Sequence, residues 1–371
     1  MKKWRMLPQV YSGEDCLARL EQFENERVCL VCDPFLIGSE NLKRVLSHLE
    51  EKNEVTAYSE IVPDPPIEVV AEGVARMQEH QPSVLVAVGG GSAIDTAKAM
   101  LFTMLVTGYG KIQRFIAIPT TSGTGSEVTS ASVVTDNKEK IKYPVFDDRL
   151  IPDEALLDEQ LVVTSPPSVT AFSGLDVLTH ALEALVAKNR TTFTDALAEK
   201  AVRFVLIYLE RCFTHGEDLH ARKKMHEASC LAGLAFDAAG LGINHAIAHQ
   251  VGGQFKVPHG LANAMLLPHV VDFNGKDKRA KETYAKIAVH LGLGNPSLSK
   301  DLLVMKLEKE IIQLCKAVKC PMTLREFGID PTEAKERAEI IAQNALNDST
   351  YPFNPITASK EDLIRVYKKI I

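Results

Sequence analysis

The sequence predicts an α/β domain over residues 1–165, a parallel sheet flanked by helices, followed by an all-helical domain over 166–371. Three observations carry that prediction. Through the first ~160 residues, short apolar runs alternate with amphipathic stretches, the pattern of a parallel sheet wrapped by helices. The β-rich pattern stops at the Ser-Pro-Pro of 165–167. Beyond it the chain turns Ala- and Leu-rich with helical periodicity, as in FTDALAEKAVRFVLIYLE at 193–210.

Taken in order, apolar runs bounded by turn residues predict strands over 27–33, 55–59, 83–88 and 114–118. Helical periodicity between them predicts helices over 41–50, 67–80 and 93–106. Three further short strands are expected over 132–135, 141–146 and 155–158. The 371 residues give room for two domains of ordinary size. With 46% hydrophobic and 24% charged residues the chain reads as globular.

Charge and composition exclude several classes. The 42 Lys and Arg against 48 Asp and Glu leave a net charge of −6, and no basic block carries interleaved aromatics. No nucleic-acid partner is therefore expected. The start, MKKWRMLPQVYSGEDCL, has no apolar core of signal-peptide length. The longest apolar stretches, such as 84–88 and 99–106, fall short of the ~20 residues of a membrane span, so no membrane is expected either. Seven cysteines are scattered along the chain. Cys29 and Cys32 form a CxxC, but within a strand-like apolar run, which reads as two buried structural thiols in a reducing cytoplasm.

Two loops point to a phosphate-bearing ligand. The 83–88 strand runs directly into Gly89, Gly90, Gly91 and Ser92, and a helix follows. Glycines let backbone N–H groups approach a pyrophosphate without Cβ obstruction, and the helix N-terminus adds roughly half a positive charge. A tight strand-to-helix turn, with Ser92 and Asp95 as a capping box, explains the same residues. The spacing is not that of GxGxxG. Asp33 ends the first strand, where a carboxylate can accept both hydroxyls of an adenosine ribose and repel a 2′-phosphate; a turn aspartate before Pro34 is the plainer alternative. A second loop, PTTSGTGSEVT at 119–129, offers the hydroxyls of Thr120, Thr121, Ser122 and Thr124.

A metal is indicated farther on. Asp176 and His180 stand at i and i+4 in SGLDVLTHALEAL, so on a helix they share one face and can chelate one ion. GINHAIAHQVGGQFKVPHG adds His245, His249 and His259, the last beyond a Gly-Gly that reads as a turn. Three of eleven histidines within fifteen positions, in an Ala/Gly/Val background, exceed what core packing requires. Five candidates also exceed a four-ligand site, so one has another task. One carboxylate and several imidazoles suit Fe²⁺, Zn²⁺ or a related divalent ion alike.

At these motifs the sequence resembles the iron-containing (group III) alcohol dehydrogenase family, over essentially its whole length. The matching stretches, in order, are VAVGGGSAIDTAKA, AIPTTSGTGSEVTSASVVTD, SGLDVLTHALEALV, FTDALAEKA and GLGINHAIAHQVGGQFKVPHGLANAMLLPHV. KYPVF and AGLGINHAIAHQVGGQF resemble the branch of 1-propanol dehydrogenases found in propanediol-degrading microcompartments. The resemblance implies an NAD-binding α/β domain and a helical domain holding Fe²⁺, or alternatively Zn²⁺ or another divalent ion. It implies Asp176, His180, His245 and His259 as the ligands, with His249 the spare, near the nicotinamide and able to relay protons. Gly89–Ser92, Asp95, Thr120, Thr121, Thr124 and Lys142 fall at cofactor-contact positions, and Phe236 at an aromatic that lines the substrate pocket. The expected reaction is hydride transfer between short primary alcohols and aldehydes, with propionaldehyde and 1-propanol foremost. A homodimer or larger assembly is implied, in the cytoplasm or within a microcompartment among shell or cargo proteins.

Two other readings compete. A lyase or cyclase of the dehydroquinate-synthase type uses NAD and a metal on the same scaffold, but needs several basic residues for a polyanionic substrate. Around 176–180 and 245–263 only Lys256 is basic. A non-catalytic scaffold protein of this fold has no reason to keep four ligands and the glycine loop.

Overall fold

The structure, a computed structural model, describes residues 7–62, 65–108, 111–136 and 141–371, with the side chains of 135, 136, 141 and 142 outside the description. The described residues form two compact units. One holds the described residues up to Ser165 together with Glu217–Gly233; the other holds Pro166–Gly216 and Leu234–Ile371.

The first unit is built on a parallel sheet. Its strands are β1 (Gln9–Ser12), β2 (Arg27–Cys32), β3 (Glu54–Tyr58), β4 (Val84–Gly89), β5 (Arg114–Pro119) and β8 (Glu154–Leu157). An antiparallel pair, β6 (Ala131–Asp136) and β7 (Ile141–Phe146), stands apart as a second sheet. The six-stranded order is β1-β8-β5-β4-β2-β3, and every pair is parallel. Successive residues face opposite sides of the sheet. Cys29, Val31, Leu85, Ala87, Phe115 and Ala117 therefore pack in one core with α2 (Ile67–His80) and α3 (Gly91–Thr107). Val28, Leu30, Val86, Val88 and Ile116 pack in another with α1 (Glu40–Leu46). Strands apolar on both faces read as continuous Val/Leu/Ile runs, which is why the sequence exposes them so clearly.

The edge strand β1 was not among the expected elements. Its QVYS is mostly exposed and has no apolar run of its own. Pairing of Gln9–Ser12 with Glu154–Leu157 makes it a strand. Helix α1 ends at Leu46, short of the expected 50, because the chain continues as a turn through Glu50.

The second unit is helical. It contains α4 (Pro167–Ala184), α5 (Thr192–Thr214), α7 (Ile243–Phe255), α8 (His259–Asn274), α9 (Lys278–His290), α10 (Lys300–Ala317), α11 (Leu324–Phe327), α12 (Pro331–Glu336), α13 (Ala338–Leu346) and α14 (Lys360–Tyr367). Residues of α6 (Leu219–Ala239) belong to both units. Helix α4 starts with Pro167 in its first turn, where a missing N–H costs nothing, and is buried along almost its whole length. It packs against α5 and α8. Gly174 makes the first contact possible, since a Cβ there would lie 2.3 Å from Leu209 Cδ1. Gly252 and Gly253 do not form the expected turn. Helix α7 runs through them to Phe255, and the reversal falls at Lys256, which adopts a left-handed φ of 54°. Packing of Ile247, Ala248 and Val251 in the core outweighs the roughly 1 kcal/mol that each helical glycine costs. No single described helix is long and apolar enough to cross a membrane.

Candidate metal centre and cofactor loops

In the first unit the chain-order progression along the sheet reverses between β2 and β4, giving 2-1-3-4-5 for the five strands other than β1. Open parallel sheets bind ligands outside the carboxyl ends of the strands at such a switch point. At that place Asp33 follows β2, and Gly89 ends β4 while Gly90 and Gly91 lead into α3. Gly90 caps α3 with its backbone and no side chain does so. The Asp33 Oδ2 accepts from Gly90 N at 2.8 Å, and a Cβ on Gly89 would lie 2.4 Å from that same oxygen. Burial raises the Asp33 carboxyl pKa, opposed by the Gly90 bond. The carboxylate thus holds the glycine loop with one oxygen.

The second loop lies against the first. A Cβ on Gly91 would meet Thr124 Cγ2 at 2.7 Å, and one on Gly90 would touch Thr121 at 3.4 Å. Asp95 is no capping-box partner for Ser92. It accepts from Ser126 Oγ and from Val133 N, so it ties α3 to the second loop and to β6. The four expected hydroxyls divide. Ser122 Oγ is bonded to His226 Nδ1 at 3.0 Å, and Thr124 Oγ1 accepts from Ser126 N at 3.2 Å. Thr120 Oγ1 is buried with no hydrogen-bond partner, and Thr121 is half-buried. Lys142 lies on β7 with its side chain outside the described part.

Two supports of this loop, Lys98 and His226, escaped the sequence reading. Lys98, fully buried, donates to Thr129 O at 2.7 Å, Thr129 Oγ1 at 3.0 Å and Ala131 O at 2.9 Å. His226 is buried on α6, and burial pulls its imidazole down to about 4, so it stays neutral beside Ser122. Burial pushes the Glu127 carboxyl up to about 7. The CxxC pair behaves as expected of buried thiols: burial raises Cys29 to about 12 and Cys32 to about 11.

In the helical unit, Asp176 and His180 come from one face of α4, His245 from α7 and His259 from the first turn of α8. One donor atom from each lies within 4.8 Å of the others; three of the residues are buried and His259 is exposed. Asp176 is 3.9 Å from His180 Nε2, 3.8 Å from His245 Nε2 and 3.6 Å from His259 Nε2. Four ligands at ~2.1 Å from one tetrahedral ion stand about 3.4 Å apart, so the set fits a divalent cation with little adjustment. Burial, then the neighbouring His180, His259 and His249, lowers His245 far below an ordinary imidazole, which leaves it neutral, as a ligand must be. Gly260 lets α8 approach α4: a Cβ there would lie 2.2 Å from Phe172 O.

The fifth candidate stands beside the four. The ring of His249 stacks on His259 with centroids 5.3 Å apart, and its Nδ1 is 2.8 Å from Asp348 Oδ2. Burial works to raise the Asp348 carboxyl, but the contacts with His249 and Thr350 together outweigh it and the pKa is lowered. Phe236, half-buried on α6, stacks on His180 with centroids 4.4 Å apart.

Comparison with known proteins agrees with this geometry. Residues 8–159 match the family model "iron-containing alcohol dehydrogenase", and residues 170–371 match "Fe-containing alcohol dehydrogenase family, C-terminal". The chain belongs to the iron-containing alcohol dehydrogenase family. It is thus an oxidoreductase of the alcohol dehydrogenase type. Among its relatives within that family is the 1-propanol dehydrogenase PduQ of Citrobacter freundii, 43% identical over 371 residues with both chains covered completely. The NADPH-dependent butanol dehydrogenase of Clostridium saccharobutylicum is 37% identical, over 99% of this chain and 97% of its own. The crystal structure of a 1,3-propanediol oxidoreductase superposes with a TM-score of 0.93 at 30% identity, covering all of both chains.

Proposed function

We propose that the protein is an NAD(H)-linked alcohol dehydrogenase, dependent on Fe²⁺ or another divalent ion, that interconverts short primary alcohols and aldehydes, 1-propanol and propionaldehyde foremost. The observation that carries this reading is the convergence of Asp176, His180, His245 and His259 within 4.8 Å on three helices. Likeness to a 1-propanol dehydrogenase supports the substrate class over a lyase or a scaffold protein.

In this reading the first 165 residues bind the dinucleotide and the helical remainder holds the ion. When bound, a divalent ion supplies a Lewis acid for the alcohol or aldehyde oxygen, and the nicotinamide carries the hydride. The chain's own residues do the rest. Asp176, His180, His245 and His259 hold the ion. Asp33, with one oxygen on Gly90 N, presents the other to the ribose hydroxyls. Gly89, Gly90, Gly91 and Ser92 present backbone at the start of α3, with Asp95, Thr120, Thr121, Thr124 and Lys142 completing the contacts. His249, oriented by Asp348, passes the alcohol proton toward solvent. Phe236 forms an apolar wall beside His180. The PduQ-like segments support a role in propanediol degradation, in the cytoplasm or a bacterial microcompartment with shell or cargo proteins, as a homodimer or larger assembly.

The test is direct. Purified protein loaded with Fe²⁺ or Zn²⁺ is assayed with 1-propanol and NAD or NADP, before and after chelation. NADH formation that disappears with the ion is expected. No turnover with any primary alcohol from two to four carbons, in protein of verified metal content, overturns the reading.

A further inference from the structure

Glu183 lies three residues after His180 and seven after Asp176, so α4 presents all three on one face. It is a buried carboxylate, 2% exposed, in a helix whose other buried positions are mostly apolar. Its two oxygens are committed differently. Oε1 accepts from Asn244 N at 2.8 Å, at the start of α7. Oε2 stands 2.5 Å from His245 Nδ1. A Cβ on Gly242 would lie 2.8 Å from Oε1, so a glycine immediately before α7 leaves space for the carboxylate.

We propose that Glu183 is a positioning residue of the metal centre, holding His245 in the tautomer that carries its proton on Nδ1 and so aims an unprotonated Nε2 at the other ligands. A neutral imidazole that offers Nε2 to an ion carries its hydrogen on Nδ1, so Glu183 Oε2 is the acceptor across that short contact. Such carboxylate–histidine pairs fix ring orientation and raise the basicity of the ligating nitrogen. Asn263 lies among the candidate donor atoms themselves, with its Nδ2 3.1 Å from His245 Nε2 and 3.1 Å from His259 Nε2. Its Nδ2 donates to Asp176 Oδ1 at 2.7 Å, and Asn244 Nδ2 donates to its Oδ1 at 2.9 Å, which sets the amide's orientation. The ligands from α4, α7 and α8 are thereby joined through Glu183, Asn244 and Asn263.

This inference rests on the metal reading above. Its alternative is that Glu183 only caps α7. Glu183→Gln separates the two. If the new amide oxygen stays with Asn244 N, its NH₂ faces His245 Nδ1 and favours the opposite tautomer, which places a proton on Nε2. Affinity for Zn²⁺ and Co²⁺, measured on the full-length protein by competition with a chromogenic chelator, should fall roughly 10- to 100-fold. A wild type that takes up no stoichiometric ion would refute the metal reading itself, and this proposal with it. A wild type that binds one ion, beside a Glu183→Gln variant that binds it equally well at a lower Tm, overturns the positioning role alone. Should the variant not fold, long-range ¹H–¹⁵N spectra of the Zn²⁺-loaded wild type decide, with His245 assigned by His245→Asn. A protonated Nδ1 is expected; a protonated Nε2 overturns the proposal.

Discussion

The glycine corner at the end of β4 and the histidine cluster of the helical unit offer a ligand opposite kinds of surface. At Gly89–Gly91 the chain is nearly stripped of side chains, and the surface is backbone held by Asp33 and walled by Thr121 and Thr124. At Asp176, His180, His245 and His259 the backbone is locked in helices and side chains make the whole site. A surface made of backbone tolerates little added volume but many changes of side-chain type around it. A surface made of side chains tolerates no change of type at its ligands. Substitutions in each region test that contrast.

The largest effect is expected at the ligands. His259→Ala should lose the ion and lower kcat/KM by about a thousandfold or more. His249→Ala, bonded to Asp348 rather than counted among the four, should keep the ion and slow turnover by about a hundredfold. Elemental analysis after dialysis separates them, and equal metal loss in both would show that the wrong histidine was taken as the spare. Next comes the charge at the corner. Asp33→Ala should shift the NAD:NADP ratio of kcat/KM by about ten- to a hundredfold, since an acceptor and a repulsive charge go together, ~1–3 kcal/mol. An unchanged ratio would remove Asp33 from cofactor selection and leave it as the clamp on Gly90.

Gly89→Ala should cost stability of about 1–3 kcal/mol by overpacking, because its Cβ would lie 2.4 Å from Asp33 Oδ2 and 2.7 Å from Ala93 Cβ. Its ion content should equal that of the wild type, and thermal unfolding with elemental analysis checks both halves. The smallest effect is at Phe236. A narrow apolar slot gains ~0.8 kcal/mol per methylene until the chain meets the wall. Specificity should rise from acetaldehyde to propionaldehyde or butyraldehyde and then flatten, and Phe236→Ala should extend the tolerated length. A kcat/KM series from two to eight carbons that still climbs at eight in the wild type would end the narrow slot.

The same contrast explains what was legible beforehand. Strands buried on both faces announce themselves as apolar runs, and the ligands as polar residues at helical spacing in an apolar setting. What stayed hidden depends on partners distant in the chain. QVYS becomes a strand only beside Glu154–Leu157. Asp348 gains meaning only against His249, ninety-nine residues earlier. His226 does so only against Ser122, across 104 residues. Glu183 is the instructive case, because its signal was local. The i, i+4, i+7 series of Asp176, His180 and Glu183 could have been read from the sequence, as could His259 and Asn263 four apart on α8. The Gly-Gly of α7 shows the opposite error, where weak local propensity yielded to packing.

The four residues of the histidine cluster are unevenly exposed. Asp176, His180 and His245 are fixed in the interior, whereas the His259 side chain is 43% exposed in the first turn of α8. If the four hold an ion, His259 is the ligand that solvent and a competing chelator reach.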